Sequence, residues 1–212
     1  MKLYNLVVNP YEVNVFIIAA SNGQCAIVDP ACCTREEREM LINFIDEKDL
    51  RPVWLINTHG HYDHVIGNLF VCGTWQSIKS AAHRDDLFLM ENAYNRGELF
   101  GFPAEKPPKP TVFLEDNQII DFGDASIQVR HVPGHSPGSI VLYSSAQNWV
   151  IVGDVLFKGS IGRTDLPGAD HGVLIDGIKN KLLTLPPETK VYAGHGPETT
   201  IGQEKAHNPF LK

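Results

Sequence analysis

At 212 residues the chain suits about one globular domain and is too short for a modular array. Hydrophobic residues at 43% against 20% charged residues build a core and exclude a disordered composition. The net charge of −7 gives no electrostatic reason to bind nucleic acid or an anionic membrane, so a small-molecule partner is expected.

Residues 13–20 and 25–29 are short apolar, β-rich runs separated by Ser21-Asn22-Gly23, which predicts paired strands joined by a tight turn. Thr34 followed by Glu37 fits a capping box, and Met40, Leu41, Phe44 and Ile45 then recur at helical spacing up to Glu47-Lys48-Asp49. Pro52 to Asn57 reads as a buried strand leading into a His-rich loop and a helix from about Val65. A strand is predicted at 78–82, then a helix from Arg84 to about Leu99 in which Phe88, Met90, Tyr94 and Phe100 read as core packing in preference to a substrate lid, with a hydrophobic wall beside the site as the alternative. Lys106-Pro107-Pro108-Lys109-Pro110 forces an extended connection. The stretch 101–111 is read as joining two halves of a single domain that spans 1–212. Beyond it strands are predicted at 112–114, 118–122, 126–132, 139–144 and 149–153, then a helix near 171–185 and a strand at 189–193. This order implies a layered body of the α/β or α+β class.

No apolar run approaches the roughly 18 residues of a membrane span. The opening MKLYNLVVNP lacks the basic and apolar regions of a secretory signal, so a cytoplasmic location is expected. Cys25, Cys32, Cys33 and Cys72 show no Cys-x-x-Cys spacing and read as reduced thiols.

The segment Thr58-His59-Gly60-His61-Tyr62-Asp63-His64 packs three imidazoles and a carboxylate directly after an apolar strand. Such a cluster is the donor set of a borderline transition metal. The spacing of His59 and His61 points both side chains the same way in extended backbone. Asp63 and His64 fall in the turn that opens the next helix, so the segment has room for two neighbouring metal sites. Three more candidates repeat the order of apolar strand, small residue and ligand: Pro133-Gly134 leads to His135, Gly153 to Asp154 and Gly194 to His195. Glycine-rimmed strand ends let side chains distant in sequence converge. Ser136 and Ser139 read as turn and supporting hydroxyls, not nucleophiles. His83, His131, His171 and His207 show no ligand pattern.

On these residues the sequence resembles the metallo-β-lactamase superfamily, whose signature positions are matched by His59, His61, Asp63, His64, His135, Asp154 and His195. The resemblance covers essentially the whole chain. It implies an α+β fold, a four-layer αββα sandwich with the metal site at one edge of its two sheets. On that pattern His59, His61 and His135 hold one divalent ion, Asp63, His64 and His195 hold a second, and Asp154 bridges them. Zinc is expected first, with iron or manganese as alternatives. Asp154 departs from the cysteine or serine of the true zinc β-lactamases at that position, and His61 from the glutamate of the flavodiiron oxygen reductases. The text from Gly153-Asp154-Val155-Leu156-Phe157 through Gly162-Arg163-Thr164-Asp165 is similar to the glyoxalase II group. The tail Glu198–Phe210 resembles the short bacterial members of that group, without the helical C-terminal domain of the long ones.

The resemblance therefore implies hydrolysis of a small thioester such as an S-2-hydroxyacylglutathione, with a hydroxide held between two metals as nucleophile. Asp63 and Asp154 are the expected catalytic carboxylates, Asp63 orienting the hydroxide. Arg163, nine residues beyond Asp154, is expected to grip a substrate carboxylate. A mononuclear-iron persulfide dioxygenase, in which similar Arg-Thr-Asp text occurs, and a lactone or phosphoester hydrolase on the same fold are the alternatives. The expected partner is a small-molecule thioester or thiol, with no nucleic acid and no membrane. Nothing selects an interface for a homo-oligomer.

Overall fold

The structure is a computed structural model that describes residues 1–99, 101 and 105–212. Its first sheet is built from β1 (Lys2–Val8), β2 (Val13–Ala19), β3 (Gln24–Val28), β4 (Arg51–Ile56), β5 (Lys79–Ala82) and β6 (Val112–Phe113), neighbours in that order. Pairing is antiparallel from β1 to β3 and parallel from β3 to β6. The second sheet takes β7 (Ile119–Phe122), β8 (Ala125–His131), β9 (Ile140–Ser144) and β10 (Trp149–Gly153) in sequence. After a small hairpin of β11 (Leu156–Phe157) and β12 (Ser160–Ile161), β13 (Lys190–Ala193) joins parallel to β10, and β14 (Thr199–Thr200) closes the edge.

The central strands are apolar on both faces because each face meets a different layer. In β2, Phe16 and Ile18 enter the core between the two sheets, while Val13, Val15 and Ile17 turn outward onto a helical layer. In β10, Trp149 and Ile151 face the other sheet and Val150 and Val152 face away. The period of two thus serves two cores at once. Outside the first sheet lie α1 (Arg35–Glu47), whose Leu41 and Ile45 pack on Ile17, Ile27 and Leu55, and then α2 (Tyr62–Val65) and α3 (Asn68–Thr74). After α4 (Leu87–Leu99), α5 (His171–Gly177) packs Leu174 on the outer face of the second sheet and runs into a π turn at Ile178–Leu182. The last helix, α6 (Ile201–His207), adds Ile201 to the same layer. Two mixed sheets face to face with helices outside are the α+β sandwich expected from the resemblance.

Several local expectations need revision. β1 was not anticipated, since most of its side chains stay partly exposed and it is held by full-length pairing from Lys2↔Ala19 to Val8↔Val13. The helix expected from Val65 is two helices, α2 and α3. The helix expected from Arg84 opens with a 3-10 turn at Arg84–Asp86, and Phe88 and Tyr94 are 41% and 37% exposed instead of packed. Phe100 and residues 102–104 of the expected connection lie outside the described residues. All four cysteines are free, and burial pushes the Cys25 and Cys32 thiols up to about 12. Among the described residues no helix is long and apolar enough to cross a membrane.

Candidate metal centre

Four strands run out at one edge of the sandwich, each into a candidate ligand. β4 leads through Asn57 and Thr58 to His59, β8 through residues 132–134 to His135, β10 to Asp154 and β13 through Gly194 to His195. The donor atoms of His59, His61 and His135 lie within 4.8 Å of one another, as do those of Asp63, His64 and His195. Asp154 faces both sets. Its Oδ2 is 3.8 Å from His135 Nε2 and 3.5 Å from His195 Nε2, and its Oδ1 is 3.5 Å from His64 Nε2. Asp63 Oδ2 lies 3.5 Å from His195 Nε2 and 3.7 Å from His64 Nε2.

The ring orientations are fixed from behind. His135 Nδ1–H donates to the Arg163 carbonyl at 2.9 Å, and His195 Nδ1–H donates to the Tyr11 carbonyl at 2.7 Å. His64 Nδ1–H donates to Asp29 Oδ2 at 3.1 Å. Because these partners only accept, each ring turns its Nε2 toward the shared space. His61 presents Nδ1 instead, 2.9 Å from His135 Nε2.

The charges around the rings pull in opposite directions. Burial opposes a charge on His64, but Asp154, Asp63 and Asp29 overcome it and raise its pKa to about 10. Burial likewise opposes charge on His195, which Asp63 and Asp154 raise above its ordinary value. Burial would raise Asp63, yet His64 and His195 hold its carboxyl well below the usual carboxylate range. His59 is held neutral, first by complete burial and then by the neighbouring imidazoles. His61 falls to about 3 for the same two reasons.

Two orphaned atoms test whether metal ions suit this pocket. His59 Nε2 and Asp154 Oδ1 are buried with no hydrogen-bond partner among the described residues. An unsatisfied buried polar atom costs about 1–3 kcal/mol, and a divalent ion supplies the missing partner while displacing the proton that the carboxylates hold on His64. An imidazole and carboxylate donor set of this kind fits zinc, iron or manganese.

The profile of the metallo-beta-lactamase superfamily matches residues 8–195. The chain belongs to that superfamily. It is 36% identical over 217 residues to hydroxyacylglutathione hydrolase GloC of Haemophilus influenzae, covering 100% of this chain and 98% of that protein. Among solved structures it is similar to the BLEG-1 B3 metallo-beta-lactamase, with a TM-score of 0.90 at 36% identity and 100% of both chains covered. It is also similar to TTHA1623 in a di-iron-bound form, with a TM-score of 0.88 at 37% identity, covering 98% of this chain and 100% of that one. Membership of the superfamily agrees with a metal-dependent hydrolase.

Around this superfamily centre the structure adds two residues that the sequence reading passed over. Asp29, 1% exposed at the end of β3, accepts from Thr58 N at 2.8 Å and Thr58 Oγ1 at 2.6 Å besides holding His64. Asp86, 0% exposed, accepts from Gly60 N at 2.7 Å, Ser136 Oγ at 2.7 Å and Gly138 N at 2.6 Å. Ser136 and Ser139 are 2.7 Å apart, so both hydroxyls belong to this Asp86 network. Arg163 gives its carbonyl to His135 and its guanidinium to Asp165, at 2.7 and 2.8 Å. His83 and His131 stack at 4.0 Å and 12°, joining the ends of β5 and β8, and His131 Nε2 lies 2.8 Å from the Pro137 carbonyl. The larger depression of about 660 Å³ lies around Ser21–Gly23 and Arg51, at the end of β2 opposite Val13 and His195.

Proposed function

We propose that the chain is a metal-dependent hydrolase of small thioesters, of the kind represented by S-2-hydroxyacylglutathione. The observation that carries this reading is the Asp154 carboxylate, which faces both donor sets at 3.5–3.8 Å. His59, His61 and His135 would hold one ion, Asp63, His64 and His195 a second, and Asp154 would be shared between them. Such a pair lowers the pKa of water toward neutrality and polarises a carbonyl oxygen, so no side-chain nucleophile is required. Ser136 is in any case bonded to Asp86.

The residues of the chain supply position and charge. Asp63, which would be ionised as a ligand of the second ion, is an acceptor able to orient an attacking water. An ionised Asp63 has no proton to give a leaving group, and this favours a thioester over an amide: a thiol of pKa roughly 8.5 departs as thiolate, whereas an amine must be protonated. Arg163 stands at the rim beside His135 and would meet a substrate carboxylate by exchanging Asp165, since an exposed ion pair of this type is worth little. The likeness to GloC supports the glutathione thioester. The likeness to a B3 metallo-beta-lactamase makes a β-lactam the competing substrate.

The test is hydrolysis of S-D-lactoylglutathione and of nitrocefin by protein reconstituted separately with zinc and iron, before and after chelation. Chelator-sensitive thioester turnover with kcat/KM above about 10⁴ M⁻¹s⁻¹ is expected. Faster turnover of nitrocefin, or none of the thioester by metal-loaded protein, would overturn the assignment.

A further inference from the structure

Arg96 stands apart from the other arginines of the chain. Arg35, Arg38 and Arg163 pair with Glu39, Glu105 and Asp165. Arg51 donates to the Asn22 carbonyl, Arg130 donates to the Lys181 carbonyl, and Arg84 lies over the Phe113 ring. Among the arginines of the described residues only the Arg96 side chain has no ion pair, hydrogen bond or ring contact, although it is half-buried. A guanidinium does not lose its charge in a protein and binds carboxylates through paired N–H groups.

Its surroundings form a cavity of about 360 Å³ lined by Phe88, Leu89, Asn92, Asn95, Arg96 and Pro167, within the range of small-molecule sites. The cavity adjoins both loops that carry the first donor set. Leu89 Cβ is only 3.0 Å from where a Cβ on Gly60, between His59 and His61, would lie. Gly168, next to Pro167, sits against both the Phe88 ring and Pro137, two residues beyond His135. The neighbouring face of α4, with Ala93 and Gly97, lies on Tyr62 and Val65 of α2. Leu89, Asn92 and Arg96 follow one another at i, i+3 and i+7 and so share one stripe of α4. At 1.5 Å per residue Arg96 is roughly 10 Å along the axis from Leu89, about the extended length of three peptide units.

We propose that this cavity is the subsite for the thiol half of the substrate, with Arg96 binding a carboxylate of a short, acidic, peptide-like carrier. The inference rests on the thioester reading given above. Phe88, Leu89 and Pro167 give the carrier an apolar wall. Asn95 offers an amide that pairs with peptide N–H and C=O groups, and Asn92, whose Nδ2 donates to the Phe88 carbonyl at 2.6 Å, offers its Oδ1. In a chain of net charge −7, an uncompensated cation beside the site selects the anionic end of a substrate and directs it toward α4.

The test uses binding, so that it is independent of turnover. Metal-reconstituted protein is titrated calorimetrically with S-hexylglutathione, a thioether it cannot hydrolyse as a thioester, and with neutral 2-(hexylthio)ethanol. The variants are Arg96→Gln, Arg96→Lys and Arg163→Gln, each checked for a wild-type unfolding midpoint. Arg96→Gln is expected to weaken S-hexylglutathione about 10- to 100-fold and leave the neutral thioether unchanged, while Arg96→Lys recovers part of the loss. Equal affinity in Arg96→Gln and wild type, an effect confined to Arg163→Gln, or no binding of S-hexylglutathione to wild type would overturn the subsite. Arg96-dependent binding without thioester hydrolysis would instead remove the proposed reaction and leave the subsite standing.

Discussion

Asp86 receives two peptide N–H groups and a hydroxyl from loops on both sides of the metal edge, at 2.6–2.7 Å. Both loops have glycine where they touch it. A Cβ on Gly60 would come within 2.8 Å of the Asp86 carbonyl oxygen, and one on Gly138 within 2.7 Å of its Cγ and N. Asp86 therefore sets the separation of the His59–His61 turn from the His135 turn, although among the described residues it makes no hydrogen bond to a candidate ligand. Asp86→Ala leaves the buried N–H groups of Gly60 and Gly138 without an acceptor at about 1–3 kcal/mol each, while the Ser136 hydroxyl keeps Ser139 Oγ at 2.7 Å, and a loss of about 2 kcal/mol or more is expected in urea unfolding of metal-free protein. Asp86→Asn keeps an acceptor oxygen and should lose less. An unchanged midpoint in Asp86→Ala would show that the two loops are positioned by something else. None of this was legible from Arg84-Asp85-Asp86, which reads as an ordinary helix start, because its partners lie 26, 50 and 52 residues away. The seven candidate ligands were legible because their signal is local: four crowd one turn, and the other three each follow glycine or a small residue at a strand end.

At the scale of elements, α1 shows how a capping signal also places a neighbouring strand. Thr34 Oγ1 accepts from Glu37 N at 3.2 Å, while Glu37 accepts from the backbone N–H groups of Thr34 at 3.1 Å, Cys33 at 2.8 Å and Asn9 at 2.6 Å. The capping box was visible in the sequence, but the bond to the turn after β1 was not. Burial works against ionisation of Glu37, and the N–H groups of Thr34, Asn9 and Cys33 prevail, so its pKa lies below 4.5. A carboxylate whose folded pKa is depressed stabilises above the unfolded value and loses that contribution as pH falls through the folded one. Glu37→Gln should therefore lower Tm at pH 7, with the gap closing as pH falls below 4.5. An equal gap at pH 7 and at about pH 3 would mean that charge is irrelevant to this cap. α4 taught the opposite lesson. Phe88 and Tyr94 have the spacing of packed residues, yet the packed face of α4 is Leu89, Met90, Ala93 and Gly97, and only the neighbouring elements decide which stripe of a weakly amphipathic helix is buried.

At the scale of the molecule, two sheets share one apolar core and leave one edge to polar chemistry. Phe16, Val28 and Ile56 of the first sheet meet Ile127, Leu142 and Ile151 of the second, so the strand ends carrying His59, His135, Asp154 and His195 are held in fixed relation by packing. The layer order was legible because continuous apolar strands alternating with helices demand cover on both faces. The edge strand β1 was not, since its place depends on pairing with β2. The same rigidity holds the Asp154 carboxylate facing both donor sets, and the proposed reaction requires both sets to be filled. The most direct test is to strip the protein with chelator, return zinc stepwise, and record bound metal and S-D-lactoylglutathione hydrolysis on the same samples. For wild type, activity should level off near two ions per chain, whereas Asp154→Ala should bind less metal and lose about 10²–10³ in kcat/KM. Full hydrolysis in stripped protein, or wild-type metal content and rate in Asp154→Ala, would contradict it.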